Sequence, residues 1–228
     1  MNAAQSKKQA RRDILVVGGG RFGRLALERL PGRVATVVEP KPDEALLALA
    51  REQGAELVQA AGVEFLAPAL ATNQPPAWVV PALPRHLLHD WLLAELAPQG
   101  ARAVEVPEEV LPPMSSVFRG EEGQFFVSLA DFLCPDDCPE PPKLCTVTGK
   151  PRGEPLYQRL AGMNPSGWSV AVLRSRQLAP GVGGCLPGEM LQIKDQIGSQ
   201  GGNWLVVTSC LCHGVVSGLS LPKKAQHE

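Results

Sequence analysis

The sequence predicts an α/β fold in two parts, a parallel-sheet domain followed by a smaller α/β domain that carries a cysteine-rich loop. Strand and helix patterns alternate in the first half, which is typical of a parallel sheet with right-handed crossovers. A glycine-rich turn stands where the first strand passes into the first helix. Proline and cysteine cluster in the second half, where the regular alternation stops. We therefore expect one domain over residues 13–110 and a second over residues 117–222.

Hydrophobic periodicity predicts the elements of the first domain. Short apolar runs indicate buried strands, and apolar residues spaced three and four apart, such as Leu46, Leu49 and Ala50, indicate one face of a helix. Strands are predicted over residues 13–17, 34–38, 56–59, 78–80 and 101–106. Helices are predicted over residues 21–30, 43–53, 65–70 and 84–97. The five strands are expected to form one parallel sheet.

The second half begins after a proline-rich linker, residues 107–116. Strands are predicted over residues 125–132, 169–173 and 204–209, and residues 215–221 continue or pair with the last of these. Helices are predicted over residues 156–161 and 188–197, while residues 134–152 are expected to be irregular. A second glycine-rich loop, residues 179–184, is interpreted either as an anion-binding nest or as a flexible turn.

Composition is that of an ordinary globular protein. The 228 residues are 44% hydrophobic and 20% charged, and the formal net charge is −1. This balance excludes bulk electrostatic binding to nucleic acid or to an anionic membrane. No apolar stretch approaches roughly 18 residues, so no membrane span is expected. Residues 1–12 are polar and basic rather than signal-like, and a cytoplasmic location follows as an expectation.

The glycine-rich turn has the spacing G-x-G-x-x-G at Gly18, Gly20 and Gly23. Between a strand and a helix, this spacing is the fingerprint of a Rossmann-like dinucleotide-binding domain. The first glycine allows the tight turn, the second lets a pyrophosphate approach the backbone, and the third allows close packing of helix and strand. Arg21 and Phe22 complete the predicted site at the helix start, whose N–H groups favour an anion.

Glu39 ends the second predicted strand, twenty-one residues after the first glycine of the fingerprint. Its carboxylate is placed to accept hydrogen bonds from the adenine ribose, which favours NAD over NADP. Lys41 and Arg33 lie close in sequence and oppose that preference. The alternative interpretation is a glycine-rich turn that binds nothing.

Three cysteines, Cys134, Cys138 and Cys145, have the spacing C-x3-C-x6-C in a segment stiffened by proline. In a reducing compartment, clustered cysteines more often bind metal or carry out redox chemistry than form disulfides. We expect the three thiolates to converge on zinc or an iron–sulfur cluster. Alternatively, these cysteines are buried as small hydrophobic side chains, or they lie in a loop whose thiols can oxidise.

A fourth ligand is expected from a distant part of the chain, and we expect Cys210 to supply it. Cys212, His213 and Cys185 remain alternatives. Cys210 and Cys212 follow a predicted strand, and strand alternation would put both on one face and His213 on the other. Cys212 and His213 are the candidate catalytic residues, as a reactive thiol and a proton donor. The alternative interpretation is that Cys210 and Cys212 are packed in the core and that His213 caps the strand.

Two further histidines, His86 and His89, lie three residues apart on the predicted helix over residues 84–97. Because no carboxylate stands at metal-ligand spacing, we expect them to be surface or interface residues. Trp91, on the same helix, is expected in the core.

The segments Ile14–Gly23 and Val37–Glu39 resemble the nucleotide-binding domains of potassium-channel and transporter regulators, the Trk N-terminal or RCK/KTN family. The start of the chain is also similar to the NAD-binding part of the siroheme-pathway precorrin-2 dehydrogenase. Either resemblance covers about the first 100 residues. The second half resembles uncharacterised bacterial proteins described as TrkA-N-like or NAD-binding. The resemblance implies NAD binding and no specific reaction.

Two functions follow as hypotheses. The first is an NAD(H)-dependent oxidoreductase with a metal or thiol site in the second domain, acting on an unidentified small molecule. The second is a non-catalytic, nucleotide-sensing regulatory subunit that contacts a protein partner. A homodimer is compatible with either. An enclosed cavity with a proton donor favours the first hypothesis, and an exposed apolar interface favours the second.

Overall fold

A computed structural model describes residues 12–223 of the chain. The basic stretch before residue 12, for which the sequence predicts no structure, lies outside the described residues. The architecture is α/β, as predicted, with a Rossmann-like parallel sheet flanked by helices and a smaller α/β region after it. Within residues 12–223, no helix has the length and apolar character needed to cross a membrane.

The first half alternates strand and helix as the hydrophobic pattern predicts. Its elements are β1 (Ile14–Val17), α1 (Arg21–Arg29), β2 (Val34–Val38), α2 (Glu44–Gln53), β3 (Glu56–Val58), α3 (Gly62–Leu70), β4 (Trp78–Pro81) and α4 (Leu87–Leu96). The strands pair in parallel in the order β3-β2-β1-β4. Their carboxyl ends therefore meet at one edge of the sheet, where β1 leads into the glycine-rich turn.

Local signals explain where the helices begin and end. The Asp43 side chain accepts a hydrogen bond of 2.8 Å from the backbone N–H of Leu46, so it caps the start of α2. The same helix ends at Gly54, which has a left-handed φ of 63°. Helix α1 begins after Gly20 without a side-chain cap. Its first N–H groups are therefore available to a ligand.

The prediction of a fifth strand in the first sheet is wrong. Strand β5 (Arg102–Val104) pairs antiparallel with a strand of the second sheet instead. The chain leaves α4 through a short 3-10 turn, residues 97–99, and turns at Gly100, whose φ is 85°. β5 packs closely against Gly218 of this second sheet. A Cβ at Gly218 would overlap the carbonyl oxygen of Val104, so the pairing requires glycine there. Sequence periodicity identifies a strand but carries no information about which sheet it joins.

The second half is built on a sheet of six strands. Its elements after β5 are β6 (Ser116–Arg119), β7 (Phe125–Ser128), α5 (Leu156–Ala161), β8 (Ser169–Arg174), β9 (Arg176–Ala179), β10 (Val182–Gly184), α6 (Pro187–Gln200), β11 (Gly202–Ser209) and β12 (His213–Leu221). The order is β6-β7-β12-β11-β8, with β5 also beside β12. β8 and β11 run parallel, and the other pairs of this sheet are antiparallel.

Several predictions for the second half need correction. The end of the predicted linker forms part of strand β6, and β7 ends at Ser128 rather than at residue 132. The second glycine-rich loop is a two-stranded hairpin, β9 and β10, that turns at Gly181 with a φ of 69°. β10 lies next to β4, because Val79 and Cys185 exchange backbone hydrogen bonds of 2.8 and 3.0 Å. This hairpin therefore connects the two halves.

The largest core joins the two sheets. It contains apolar side chains of β1 and β4, of helices α3, α4 and α6, and of strands β8, β11 and β12. Trp91 lies in this core, as predicted, and Trp204 faces it from β11. A second core packs α1 and α2 on the outer face of the first sheet, and a third packs α5 on the outer face of the second sheet. The two halves are thus layered on a common core.

Candidate functional site

The glycine-rich turn has the geometry that its spacing predicts. Gly18 has a φ of 107°, and a side chain there would overlap the Ala82 carbonyl. A Cβ at Gly23 would overlap the carbonyl of Gly18, so this position needs glycine for close packing of helix and turn. A Cβ at Gly20 meets nothing within 4 Å. The backbone beside Gly20 is therefore open to a ligand at the start of α1.

Glu39 lies against the same turn. Its carboxylate accepts a hydrogen bond of 2.7 Å from the Gly19 N–H and one of 3.1 Å from the Lys41 N–H. The carboxylate is thus held at the carboxyl edge of the sheet. Arg33 lies at the opposite edge, where its guanidinium is 3.7 Å from the Asp13 carboxylate. The expectation that Arg33 opposes a preference for NAD is therefore wrong.

Arg21 and Phe22 face the second half of the molecule. Phe22 is 49% exposed and lines a cavity of about 630 Å³. Arg21 forms an ion pair with Asp136, which belongs to the segment that contains the first three cysteines. Arg29, on the same helix, donates a hydrogen bond of 2.8 Å to the backbone carbonyl of Asp136. Helix α1 is thus the contact between the glycine-rich turn and the cysteine region.

Five of the six cysteines line this cavity, which we call the thiol cavity. Its other walls include Phe22 of α1, the β9–β10 hairpin and the turn between β11 and β12. The cysteines that line it are Cys134, Cys138, Cys145, Cys210 and Cys212. The structure thus brings Phe22, at the start of α1, into the same cavity as the predicted thiol residues, which lie more than a hundred positions away in the sequence.

The first three cysteines lie in residues 131–155, which we call the cysteine-rich segment. None of these residues, all of which the structure describes, is buried, and the segment contains no helix or strand. A short hairpin presents Cys145, whose N–H donates 2.9 Å to the Lys150 carbonyl and whose own carbonyl accepts from Gly149. Cys138 is fastened to the β9–β10 hairpin, because its carbonyl accepts 2.6 Å from the Gln177 side chain.

The thiol groups influence one another. Partial burial raises the pKa of Cys134, and the nearby sulfurs of Cys138, Cys212 and Cys145 raise it further. The pKa of Cys145 is lowered, mainly by the backbone N–H of Thr148. The Thr148 hydroxyl and the Val147 N–H lower it further. Cys145 is therefore more readily ionised than Cys134 or Cys212, whose pKa values are raised.

Cys210 and Cys212 lie in the turn between β11 and β12, not in a strand. The Cys210 N–H donates 2.9 Å to the His213 carbonyl and closes this turn. Strand alternation therefore does not apply, and the expectation that His213 faces away from Cys210 is wrong. The His213 ring nitrogen Nδ1 lies 3.9 Å from the Cys210 sulfur.

Glu140 completes this end of the thiol cavity. Its carboxylate accepts a hydrogen bond of 2.7 Å from the Leu211 N–H, and its own φ is 48°, which is unusual for a residue other than glycine. Burial and the Glu140 charge raise the pKa of Cys210 to about 12. Burial lowers the pKa of His213. Cys210 is thus a neutral thiol and His213 a neutral imidazole at pH 7.

Cys212 has a different partner. The Arg152 guanidinium contacts its sulfur, and Arg152 also donates 2.7 Å to the Pro141 carbonyl. Burial raises the pKa of Cys212, while Arg152 acts in the opposite direction. Sequence reasoning missed Arg152, because the two residues are 60 positions apart and no local pattern connects them. Of the candidate catalytic pair, Cys212 therefore contacts Arg152, and His213 contacts Cys210.

Cys185 lies outside the thiol cavity. It is buried in the common core beside β4, and burial raises the pKa of its thiol to about 12. As the side chains stand, no group of three or more His, Cys, Asp or Glu residues within positions 12–223 is arranged to hold a metal ion. The thiols of the predicted ligand set therefore share a cavity without surrounding one point.

A smaller cavity of about 170 Å³ lies near the carboxyl end of β4. His86 lines it, and both ring nitrogens are hydrogen-bonded, Nδ1 to Ser217 at 2.8 Å and Nε2 to Thr208 at 3.0 Å. His89 is bonded to the Gly218 carbonyl at 3.0 Å. Both histidines are buried, so their assignment to the surface or an interface is wrong. Helix α4 faces the second sheet, which sequence periodicity could not indicate.

The profile of the family AF_1314_C, described as "Uncharacterized protein, C-terminal domain", matches residues 88–222. The match begins in α4 and covers the second sheet, the thiol cavity cysteines and β12. No curated protein matches significantly, and no solved structure does.

Proposed function

The chain belongs to the AF_1314_C family, and we propose that it is an NAD(H)-binding oxidoreductase whose reaction takes place in the thiol cavity. The observation that carries this proposal is that Phe22, at the start of α1, and five cysteines line the same cavity. A dinucleotide on the glycine-rich turn would extend along the edge of the sheet where parallel α/β proteins bind their ligands. The substrate would be a small molecule that exchanges a hydride with the nicotinamide.

The three glycines support binding of a pyrophosphate. Gly18 and Gly23 are positions where steric overlap excludes a side chain, and the surroundings of Gly20 are open. Helix α1 begins there with uncapped N–H groups, and the positive end of its dipole attracts an anion. Glu39, held by Gly19 at 2.7 Å, supports selection of a cofactor without a 2′-phosphate.

The chemistry of the cavity suits hydride transfer. NAD supplies a hydride acceptor when it is bound. In the oxidising direction the substrate C–H bond breaks with loss of hydride, and the proton of the reacting hydroxyl passes to a base of the chain. His213 accepts that proton, since burial lowers its pKa and keeps the imidazole neutral. Arg152 and Lys150, which also line the cavity, orient an anionic substrate.

Calorimetric titration of the full chain with NAD, NADH and NADPH tests the proposal. We expect binding of NAD and NADH, and loss of binding in Gly20→Leu, whose side chain would fill the open space. Gly188→Leu is the matched control, because Gly188 also lies at a helix start with nothing within 4 Å of its Cβ position. Absence of binding by all three nucleotides at millimolar concentration would contradict the proposal.

A nucleotide-sensing regulatory subunit is the second candidate, favoured by one observation. Three apolar side chains of the cysteine-rich segment are exposed, Leu133 by 98% and Leu144 and Val147 by 50% each. Exposed apolar side chains in one segment offer a surface that a protein partner could cover. Turnover of NADH with any substrate supports the enzyme, whereas nucleotide-dependent binding of a protein partner that Leu133→Ser and Leu144→Ser abolish supports the sensor.

A further inference from the structure

The cysteine-rich segment has a defined path without a hydrophobic core of its own. Its 25 residues, 131–155, have no buried side chain, and no helix or strand runs through them. A stretch of this length without a helix or a strand is uncommon inside a compact domain, and burial of apolar surface cannot hold it in place. Another interaction must therefore compensate for the lost conformational entropy.

The segment is fastened at its thiols and by polar contacts. Three of its residues are cysteines, and all three face the thiol cavity together with Cys212 of the β11–β12 turn. The backbone hairpin that carries Cys145 is closed by hydrogen bonds of 2.9 Å between Cys145 and Lys150 and between Gly149 and Cys145.

A cation already stands among these sulfurs. The Arg152 guanidinium contacts the Cys212 sulfur, and Lys150 lines the same cavity. Four thiolates around one divalent ion leave a net negative charge, which these two side chains offset. The contact identifies Cys212, rather than Cys210, as the thiol placed for a cation. Cys210 faces His213 and Glu140 instead.

We propose that Cys134, Cys138, Cys145 and Cys212 bind one zinc ion, which fastens the cysteine-rich segment to the β11–β12 turn. Rotation about the Cα–Cβ bonds brings the sulfurs together, and Arg152 moves off the Cys212 sulfur to the outside of the thiolate cluster. Zinc prefers four thiolates in a tetrahedron, and such closed sites stabilise folded structure rather than catalyse reactions. This assignment goes beyond the proposed function and does not depend on it.

Zinc content of the full chain, purified without chelator, is the first test. We expect about one zinc per chain in wild type and a loss of about tenfold or more in Cys145→Ser and Cys212→Ala. Cys185→Ala is the matched control, since Cys185 is a thiol outside the cavity. Cys210→Ala should also keep its zinc. Loss of zinc in Cys210→Ala with retention in Cys212→Ala would overturn the assignment of the fourth ligand.

Wild-type protein provides a second test that does not depend on how the variants fold. After chelation, added Co²⁺ should produce the intense visible absorption of a tetrahedral thiolate site, and zinc should abolish it. Chelation should also speed proteolytic cleavage within residues 131–155 by about tenfold or more, and zinc should reverse this effect. Unchanged cleavage with no bound metal, or iron with acid-labile sulfide, would overturn the proposal. Calorimetry with NADH on the same samples tests the dinucleotide site separately.

Discussion

The glycine-rich turn and the cysteine-rich segment meet at the start of α1, through the Arg21–Asp136 ion pair, but are held in place by different interactions. The turn sits on strands and helices whose side chains fill two hydrophobic cores, so apolar burial fixes its backbone. The segment has no buried side chain among residues 131–155, although ordering its backbone costs about 1–2 kcal/mol per residue. The glycine-rich turn is therefore held by apolar side chains that its own strands and helices bury. The cysteine-rich segment depends instead on contacts with other parts of the chain.

Truncation of one leucine in each region should give the largest difference in stability. Leu27→Ala removes a fully buried side chain of α1 and should lower the free energy of unfolding by about 2–5 kcal/mol. Leu133→Ala, in the cysteine-rich segment, should change it by less than about 0.5 kcal/mol, because Leu133 is exposed. Urea unfolding followed by circular dichroism measures both. Equal losses would show that the segment has a hydrophobic core of its own.

Acid should act on the common core through His86. Burial, and then the nearby His89, lower the pKa of His86 to about 3 in the folded protein, whereas the unfolded chain has the ordinary value of about 6.5. Between these values the unfolded state binds more protons, so stability falls as pH decreases from about 6.5 toward 3.

The slope attributable to His86 is at most about 1.4 kcal/mol per pH unit. His86→Asn should reduce this pH dependence while lowering stability at pH 7, because the hydrogen bonds to Ser217 and Thr208 are disturbed. Urea unfolding at a series of pH values measures the slope. An identical slope in wild type and variant would contradict the role given to His86.

Selectivity for the cofactor should depend on Glu39. Glu39→Ala should weaken NAD binding by about 1.5–3 kcal/mol, the size of a hydrogen bond to a charged group, and should raise the relative affinity for NADP. Calorimetry of both nucleotides provides the measurement. Glu52→Ala, an exposed glutamate on α2, is the control. A wild-type protein that prefers NADP would show that Lys41 outweighs Glu39.

Loss of the ion pair between the glycine-rich turn and the cysteine-rich segment should have the smallest effect on stability and on nucleotide binding. Asp136→Asn removes the ion pair with Arg21 at the start of α1, and exposed pairs of this kind contribute about 0.2–1 kcal/mol to stability. The same change removes a negative charge near the predicted pyrophosphate position, so NADH should bind somewhat more tightly. Weaker NADH binding in Asp136→Asn would show that the Arg21–Asp136 contact organises the site.

Local patterns were sufficient to predict the first region. The spacing of Gly18, Gly20 and Gly23 and the position of Glu39 depend on a single strand–turn–helix unit, and the structure has that unit with the expected steric roles. The parallel sheet also follows from alternation of strand and helix. Binding of NAD stays a prediction, because the fingerprint specifies a backbone shape rather than an occupant.

Contacts between distant segments could not be predicted. β5 joins the second sheet, His86 is buried against β11 and β12, and Arg152 meets Cys212. None of these has a signal within its own ten or fifteen neighbouring residues. The facing of His213 is also predicted wrongly from strand alternation. The chain reverses in a hairpin at residues 210–212, although the apolar pattern continues through the turn.

Thiol alkylation with and without NADH tests most directly whether the dinucleotide turn and the thiol cavity form one site. The chelated full chain is treated with a thiol reagent, and mass spectrometry follows each cysteine. We predict that NADH slows alkylation of cavity cysteines such as Cys145 and Cys212 in wild type, but not in Gly20→Leu, and leaves the buried Cys185 unchanged in both. If NADH binds wild type and no cavity cysteine is protected, the two sites are separate and the account is contradicted.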